Sequence, residues 1–174
     1  MWNSVNAIRY GTNCWALSYA RQYLNNSGMG WWQATHECDV IPNGYESRLG
    51  FKSYISPEMA ASLHPIKITT KRSNYIGGAV DTTYDTFWLP SLNEMNIYNN
   101  SWIATVDGSP WQYYKELLEN EEKVPNGTYA VLKKYSVNAT TTVQHYWVRS
   151  ASLTKGGECC VFSSGFVNYS YPSY

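Results

Sequence analysis

Short helical segments come early in this chain and alternating segments come late, and this order limits the folds that it can adopt. Asn13 can cap a helix that starts near Cys14, and apolar residues then recur at helical spacing until residues 25–28 end the helix. Residues 56–58 (Ser-Pro-Glu) predict a second helix to about Leu63. Ser caps a helix, Pro fits its first turn, and the negative charge of Glu is stabilised near the positive end of the helix dipole.

The middle of the chain predicts two strands separated by a loop. Residues 65–72 alternate as a half-buried strand does, residues 73–85 are polar and contain glycine, and residues 86–89 have the composition of a short strand. Residues 29–50 are predicted to form an irregular loop with Trp31 and Trp32 as inner anchors. The residues expected to face inward from the first strand are Ile66, Ile68 and Thr70.

Two further helices are predicted from their start signals. Ser91 and Glu94 form a Ser-x-x-Glu capping box, which predicts a short helix, and Ser109-Pro110 opens another. The buried stripe of this last helix is expected to consist of Trp111, Tyr114, Leu117 and Leu118.

The last part of the chain predicts strands. These cover residues 128–134, residues 144–149, and a hairpin of residues 158–163 and 166–169 around Ser164-Gly165. Helices first and strands last indicate an α+β fold with short helices flanking small antiparallel sheets. No repeat or linker interrupts the chain, so residues 1–174 are predicted to form a single domain.

Aromatic residues are as frequent as charged ones, at 16% against 15%. Tyr and Trp beside Ser, Gly and Asn are typical of recognition surfaces, although a small core built from large rings would have the same composition. The 13 basic and 13 acidic residues give no net charge and form no basic run, which predicts no nucleic-acid partner. No apolar run is long enough for a spanning helix and no signal peptide is recognisable, so no membrane insertion is expected.

Residues with catalytic or metal-binding chemistry do not form a recognisable motif. The cluster at residues 36–39 (His-Glu-Cys-Asp) lacks the spacing that places metal ligands on one face. Cys14, Cys38, Cys159 and Cys160 do not have the spacing of a disulfide scaffold and are expected to be reduced. We therefore expect no catalytic residue, no metal and no cofactor.

Glu94 and Arg149 are the long-range pair that the sequence favours. Each lies beside an aromatic segment that is expected to be buried, and a buried charge needs a partner. The alternative is that they are two independent surface charges.

Six segments, taken together and in order, carry a resemblance to a known family. They are residues 10–25 around Tyr10-Gly11-Thr12-Asn13-Cys14-Trp15, residues 50–58, residues 87–95 (Phe-Trp-Leu-Pro-Ser-Leu-Asn-Glu-Met), residues 111–115, residues 146–150 (Tyr-Trp-Val-Arg-Ser) and residues 161–165. The chain resembles a bacterial and phage domain of unknown function with a C-type-lectin-like fold, related to the formylglycine-generating-enzyme group.

This resemblance implies binding more than catalysis. Domains of this kind serve as phage receptor-binding tips and as variable proteins of diversity-generating retroelements. Their ligand contacts follow the Trp-x-Arg-Ser element, which implies ligand-binding roles here for Ser152, Leu153, Thr154, Phe166, Asn168, Tyr169, Ser170, Tyr171, Ser173 and Tyr174. The scaffold that it implies consists of Trp88, Leu89, Ser91, Glu94, Trp147 and Arg149.

The chain departs from the family pattern at both ends. The family has a strand before the position of Met1 and a Val-Arg-Pro strand after that of Tyr174, so closing strands are expected to be missing or supplied by a partner. The sequence thus predicts a displayed module on a virion or cell surface that binds a protein or glycan receptor on a target cell. The alternatives are a structural virion protein in contact with other virion subunits, and an enzyme of the formylglycine-generating type.

Overall fold

A computed structural model describes ten stretches of the chain. They are residues 14–35, 41, 44–74, 77–96, 107–120, 134–135, 143–144, 146–151, 158–161 and 167–170. From residue 117 onward only residues 148–151 have described side chains, and the other positions are described by their backbone.

The first helix begins later than predicted. A 3-10 turn at Trp15–Leu17 precedes helix α1 at Tyr19–Asn25. The residue that caps α1 is Ser18, whose hydroxyl accepts a hydrogen bond from the backbone N–H of Arg21 at 3.1 Å. The predicted cap, Asn13, lies outside the described residues, and the predicted end of the helix at residues 25–28 is confirmed.

Helix α2 at Pro57–Ser62 confirms the second predicted helix. The hydroxyl of Ser56 accepts from the backbone N–H of Met59 at 3.2 Å, and Pro57 occupies the first turn. A second 3-10 turn, Phe51–Tyr54, precedes it.

Strands β1 (Ile66–Lys71) and β2 (Val80–Asp85) form an antiparallel pair. The prediction of a loop over residues 73–85 is therefore wrong, since its second half is a strand. The inner face of β2 is polar, and a polar half of a strand has the same sequence pattern as a loop. Within β1, Ile68 and Thr70 are buried as predicted, whereas Ile66 is exposed at the end of the strand.

The segment after β2 is irregular and contains neither the strand predicted at residues 86–89 nor the helix predicted after Pro90. Residues 92–96 form turns, and Asn96 ends them with a φ of 61°. Helix α3 at Gln112–Asn120 confirms the helix predicted after Pro110. Its predicted stripe is correct at Tyr114, which is buried, but Trp111 precedes the helix and is 37% exposed; the side chains of Leu117 and Leu118 are not described.

The C-terminal part contains two small antiparallel sheets. Strand β3 (Lys134–Tyr135) pairs with β4 (Val143–Gln144). Strands β5 (Tyr146–Ala151), β6 (Glu158–Val161) and β7 (Val167–Ser170) form a sheet in the order β5-β6-β7, which confirms the predicted hairpin. Of the strand predicted at residues 128–134, only residue 134 lies among the described residues.

The described core lies where the first helices, β1 and β5 meet. Trp15 and Ile68 are buried against each other, and Ala20, Leu24, Trp88 and Leu89 pack around them. Val148 to Ala151 are four consecutive buried residues, so both faces of this part of β5 are covered. These contacts define a mixed fold of a few short helices and small antiparallel sheets, which is the combination of elements that the sequence predicted.

An aromatic cluster attaches the irregular loop to α1. The ring of Tyr23 lies 5.3 Å from Trp31, 5.5 Å from Tyr45 and 6.2 Å from Phe51, and Phe51 contacts Phe87 edge-on at 5.1 Å. The indole N–H of Trp31 donates to the carbonyl of Arg48 at 3.0 Å. Trp31 therefore anchors the loop as predicted, and much of the aromatic content of this region serves packing.

We predict that Gly50→Ala will destabilise the domain more than Gly44→Ala. A Cβ atom at Gly50 would clash with the carbonyl oxygen of Asn26, whereas one at Gly44 has open space and meets only backbone strain at φ 76°. We expect a loss of about 2–4 kcal/mol for Gly50→Ala and about 1 kcal/mol for Gly44→Ala, measured by urea denaturation. Equal losses would contradict this close approach.

Candidate ligand-binding cleft

A polar cleft of about 490 Å³ opens between α1, the loop after it and the end of β2. This volume is in the range of small-molecule sites. Its described lining consists of Ala16, Arg21, Gln22, Asn25, Asn26, Gly30, Trp31, Gln33, Ala34, Thr35, Lys52, Pro65, Tyr84 and Thr86. A smaller pocket of about 90 Å³ shares Lys52 and Thr86 with it and is otherwise lined by Ile55, Ala60, Leu63 and Phe87.

One wall of the cleft is held by Gln22. Its amide N–H donates to the carbonyl of Gln33 at 2.9 Å, and its amide oxygen accepts from the backbone N–H of Gln33 at 2.7 Å. This two-point contact fixes the loop against α1. The backbone of Gln33 is thus engaged while its side chain stays exposed at the rim.

The opposite wall is held by Asn25, the last residue of α1. Its amide oxygen accepts from the backbone N–H of Thr86 at 2.8 Å and of Phe87 at 3.2 Å, and its amide nitrogen donates to the carbonyl of Phe87 at 2.8 Å. A single side chain therefore bonds the backbone of residues 86 and 87, the first half of the segment predicted to be a strand.

Asp85 lies beneath the cleft and is fully buried. Its carboxylate accepts from the indole N–H of Trp15 at 2.8 Å, the Nε–H of Arg21 at 2.8 Å and the hydroxyl of Thr83 at 2.6 Å. Burying an ionised carboxylate is costly unless its oxygens are bonded, and three donors meet that need here. Arg21 is thereby fixed at the cleft with 28% of its side chain exposed.

A second inward acid, Asp81, is bonded by Arg72 and Cys14. Arg72 makes a bidentate contact with both oxygens of Asp81 at 2.7 Å, which holds the pKa of that carboxyl below its ordinary value. The thiol of Cys14 donates to Asp81 at 3.1 Å, and burial raises the pKa of this thiol to about 11. Cys14 is a free cysteine, as the sequence predicted, and its raised pKa favours the protonated thiol at neutral pH.

The predicted pair of Glu94 and Arg149 forms in the interior. Two guanidinium N–H groups of Arg149 donate to the two oxygens of Glu94 at 2.5 and 2.6 Å, and one of them also donates to the carbonyl of Leu89 at 2.8 Å. Both side chains are almost fully buried. The alternative of two independent surface charges is wrong.

The capping box predicted at Ser91 and Glu94 forms, although only turns follow it. The backbone N–H of Ser91 donates to Glu94 at 3.0 Å, and the backbone N–H of Glu94 donates to the hydroxyl of Ser91 at 3.0 Å. The carboxylate of Glu94 thus serves both the turn and Arg149. Gly108 passes so close that a Cβ there would lie 2.6 Å from Glu94, and its φ of 79° favours glycine.

Asp107 is a buried acid with incomplete hydrogen bonding. One oxygen accepts from the backbone N–H of Lys71 at 2.8 Å, whereas the other has no hydrogen-bond partner among the described residues. Burial raises its pKa to about 7; Arg149 opposes this rise and Glu94 adds to it.

The structure describes part of the predicted site. Of the scaffold residues, Ser91, Glu94 and Arg149 are buried and Trp88 and Leu89 are half-buried, while Trp147 is described by its backbone, which pairs with Cys160. Asn168, Tyr169 and Ser170 lie on β7, with their side chains outside the description. The remaining predicted ligand contacts lie outside the described residues; they are Ser152, Leu153, Thr154, Phe166, Tyr171, Ser173 and Tyr174.

Sequence reasoning missed the cleft and the acids beneath it. The signal for them is the alternation of Asp81, Thr83 and Asp85, which places three polar side chains on one face of a strand. Such a face ordinarily points to water. Here it points inward, because donors from distant segments bond it.

Neither a metal cluster nor a membrane span is found in the part of the chain that the structure describes. No group of three or more His, Cys, Asp or Glu side chains there could hold an ion. No helix there has the length and apolar character needed to cross a bilayer. Residues 36–39, which the sequence predicted not to bind a metal, lie outside the described residues.

The geometry defines a mixed α/β domain with internally bonded charges and one polar cleft in its described part. A family model described as a domain of unknown function (DUF6273) matches residues 3–172, so the chain belongs to the DUF6273 family. That match confirms the part of the resemblance that pointed to a domain of unknown function. Comparison with the curated proteins and with the solved structures found no match.

We predict that Glu94→Gln will cost about 3–5 kcal/mol of unfolding free energy, because it leaves the Arg149 cation buried without its charged partner. Urea denaturation measures this, with Glu46→Gln as a control at an exposed acid, which should change stability by less than about 0.5 kcal/mol. The double variant Glu94→Gln/Arg149→Gln should be less destabilised than the sum of the single variants. Additive losses would show that the pair is not coupled.

We predict that Asp107→Asn will gain stability relative to the wild type as pH rises. The pKa of Asp107 is raised from 3.8 to about 7, so the folded state keeps a proton that the unfolded state releases. The contribution of protonated Asp107 to the free energy of unfolding is therefore fully present below about pH 4, and it is lost as the pH rises through about 7. The free energy of unfolding of Asp107→Asn, relative to that of the wild type, should rise by about 1–3 kcal/mol between pH 5 and pH 8, since one pKa unit corresponds to about 1.4 kcal/mol.

Chemical denaturation at the two pH values tests this, with Glu46→Gln as the exposed-acid control. A difference between Asp107→Asn and the wild type that does not change with pH would contradict the titration of Asp107 in this range.

Proposed function

We propose that this domain is a ligand-binding module with a C-type-lectin-like fold, displayed on a virion or cell surface, and that it binds a protein or glycan receptor on a target cell. The observation that carries the proposal is the lining of the cleft. It offers the exposed amide of Gln33, the exposed ring of Tyr84 and the ammonium of Lys52 on walls that internal hydrogen bonds hold in place. The guanidinium of Arg21, paired with Asp85, is also partly exposed there. These groups bind a polar ligand by hydrogen bonding and charge attraction.

The framework beneath the cleft supports binding by a preformed site. Gln22 and Asn25 use their amides to fix the two walls, and Asp85 fixes Arg21. A site held in this way loses little conformational entropy when a ligand binds. Catalysis is not part of the proposal, because the acids Asp81, Asp85 and Glu94 are engaged with framework partners.

Tyr84 is the aromatic group that the cleft presents to a ligand. It lies on β2 and is 67% exposed, whereas Trp31, the other ring in the lining, is 5% exposed. An exposed ring beside hydrogen-bonding groups combines apolar contact area with polar specificity. We therefore assign Tyr84 the main apolar contact.

We predict that Tyr84→Ala will weaken ligand binding without loss of fold. Binding of the labelled 174-residue chain to a glycan array and to bacterial cells measures the effect, and circular dichroism monitors the fold. We expect roughly tenfold weaker binding or more, because aromatic anchors at binding sites contribute about 2 kcal/mol. The matched control is Tyr113→Ala, a tyrosine on α3 that is 64% exposed and lies outside the cleft lining.

Equal effects of the two tyrosine changes would contradict the assignment of the cleft, and absence of binding to any glycan or cell would contradict the proposed function. The C-terminal surface implied by the resemblance stays a prediction, tested in the same assay with Tyr169→Ala and Tyr171→Ala. A stable oligomer in solution that binds no cells would favour the structural virion role.

A further inference from the structure

The hairpin of β1 and β2 separates its charges between two faces. Side chains alternate along each strand, and paired residues share a face. Asp81 and Asp85 point inward, where Arg72 and Arg21 bond them. The outer face carries Lys67, Thr69 and Lys71 from β1 opposite Tyr84, Thr82 and Val80 from β2.

This outer face therefore has two positive charges and no negative one. Neither Lys67 nor Lys71 has an ion pair with a described residue, and the four other side chains of the face are uncharged. Lys67 and Lys71 are four residues apart, which corresponds to about 13 Å along a strand. Two cations at this spacing, neither of them paired within the described part of the chain, form an elongated positive strip.

Tyr84 joins this strip to the cleft. It lies directly opposite Lys67 in the register of the hairpin and also lines the cleft with Lys52 and Arg21. The ammonium of Lys52 has no ion pair with a described residue either. Tyr84 therefore lies between the lysines of the hairpin face and the cleft that Lys52 lines.

We propose that the outer face of the β1–β2 hairpin and the cleft together bind an anionic polysaccharide, whose acidic groups contact Lys52, Lys67 and Lys71 while one sugar ring lies against Tyr84. This inference rests on the proposed binding function and names the class of its ligand. The hydroxyls of Thr69 and Thr82 lie between the lysines on the same face and suit the hydroxyl groups of a sugar chain.

A saccharide fits this surface better than nucleic acid or an acidic protein. Nucleic acids need many phosphate contacts, and this chain has as many acidic as basic residues. An acidic protein would bury a larger apolar area around hot-spot residues, whereas the hairpin face offers Val80 and Tyr84 alone. Alternating hydroxyls, sparse cations and one exposed ring match a hydroxyl-rich chain of low charge density.

The test measures binding of the full chain to hyaluronan, which carries carboxylates, to dextran sulfate, which carries sulfates, and to uncharged dextran. Single-stranded DNA and poly-glutamate are the anionic polymers of other classes in the same assay. The variants are Lys67→Glu/Lys71→Glu and its neutral form Lys67→Gln/Lys71→Gln, with Lys115→Glu on α3 as the charge control. We expect one or both anionic polymers to bind more tightly than dextran, with affinity that falls as salt is added. The double reversal should weaken binding by about tenfold or more and the neutral form by less, with Lys115→Glu within about twofold of wild type.

The outcomes separate this inference from the function on which it rests. Binding of hyaluronan alone or of dextran sulfate alone supports it and identifies the acidic group. Binding of neutral glycans or cells that depends on Tyr84 but not on the lysines overturns the anionic class and leaves the proposed function standing. Tighter binding of single-stranded DNA or poly-glutamate than of both anionic polymers overturns the saccharide class, and absence of all binding overturns both proposals.

Discussion

The geometry of the cleft depends on the buried carboxylate of Asp85. Its donors come from the 3-10 turn at Trp15–Leu17, from α1 and from β2 itself, so these three elements must meet at one point. Because an ionised carboxylate in the interior is costly without such donors, any other arrangement of these elements would lose stability. The cleft opens where α1, fixed in this way, presents its amide side chains to the end of β2.

A second buried contact, between Glu94 and Arg149, joins the middle of the chain to the C-terminal sheet. Arg149 lies on β5, whose described side chains are buried on both faces, and Glu94 belongs to a turn that the capping box stabilises. Two hydrogen bonds reinforce the junction: Arg149 donates to the carbonyl of Leu89, and the backbone N–H of Leu92 donates to the hydroxyl of Ser150. Asp107, whose backbone carbonyl accepts from the hydroxyl of Ser91, lies at this junction, and burial raises the pKa of its carboxyl to about 7.

The overall charge balance of this chain conceals a local asymmetry, which is the basis of the functional proposals. The 13 basic and 13 acidic residues cancel in total. In the hairpin, however, the acids point inward and are paired with Arg21 and Arg72, whereas the lysines lie on the outer face and have no ion pair with a described residue. A positive face therefore exists on a neutral protein, and its field is short-ranged under physiological salt. Such a face suits local contact with an anionic ligand.

The sequence by itself determined the elements whose signals are local, together with one long-range pair. The cap at Ser56, the helix after Pro110, the C-terminal hairpin and the pairing of Glu94 with Arg149 follow from capping, periodicity and the cost of a buried charge. Tertiary structure alone decided that residues 80–85 form a strand with a polar inner face and that residues 86–89 do not form one. The physical reason is that Trp15 and Arg21, which bond Asp85, and Asn25, which bonds residues 86–87, lie 61 to 70 positions away, where no local pattern predicts them.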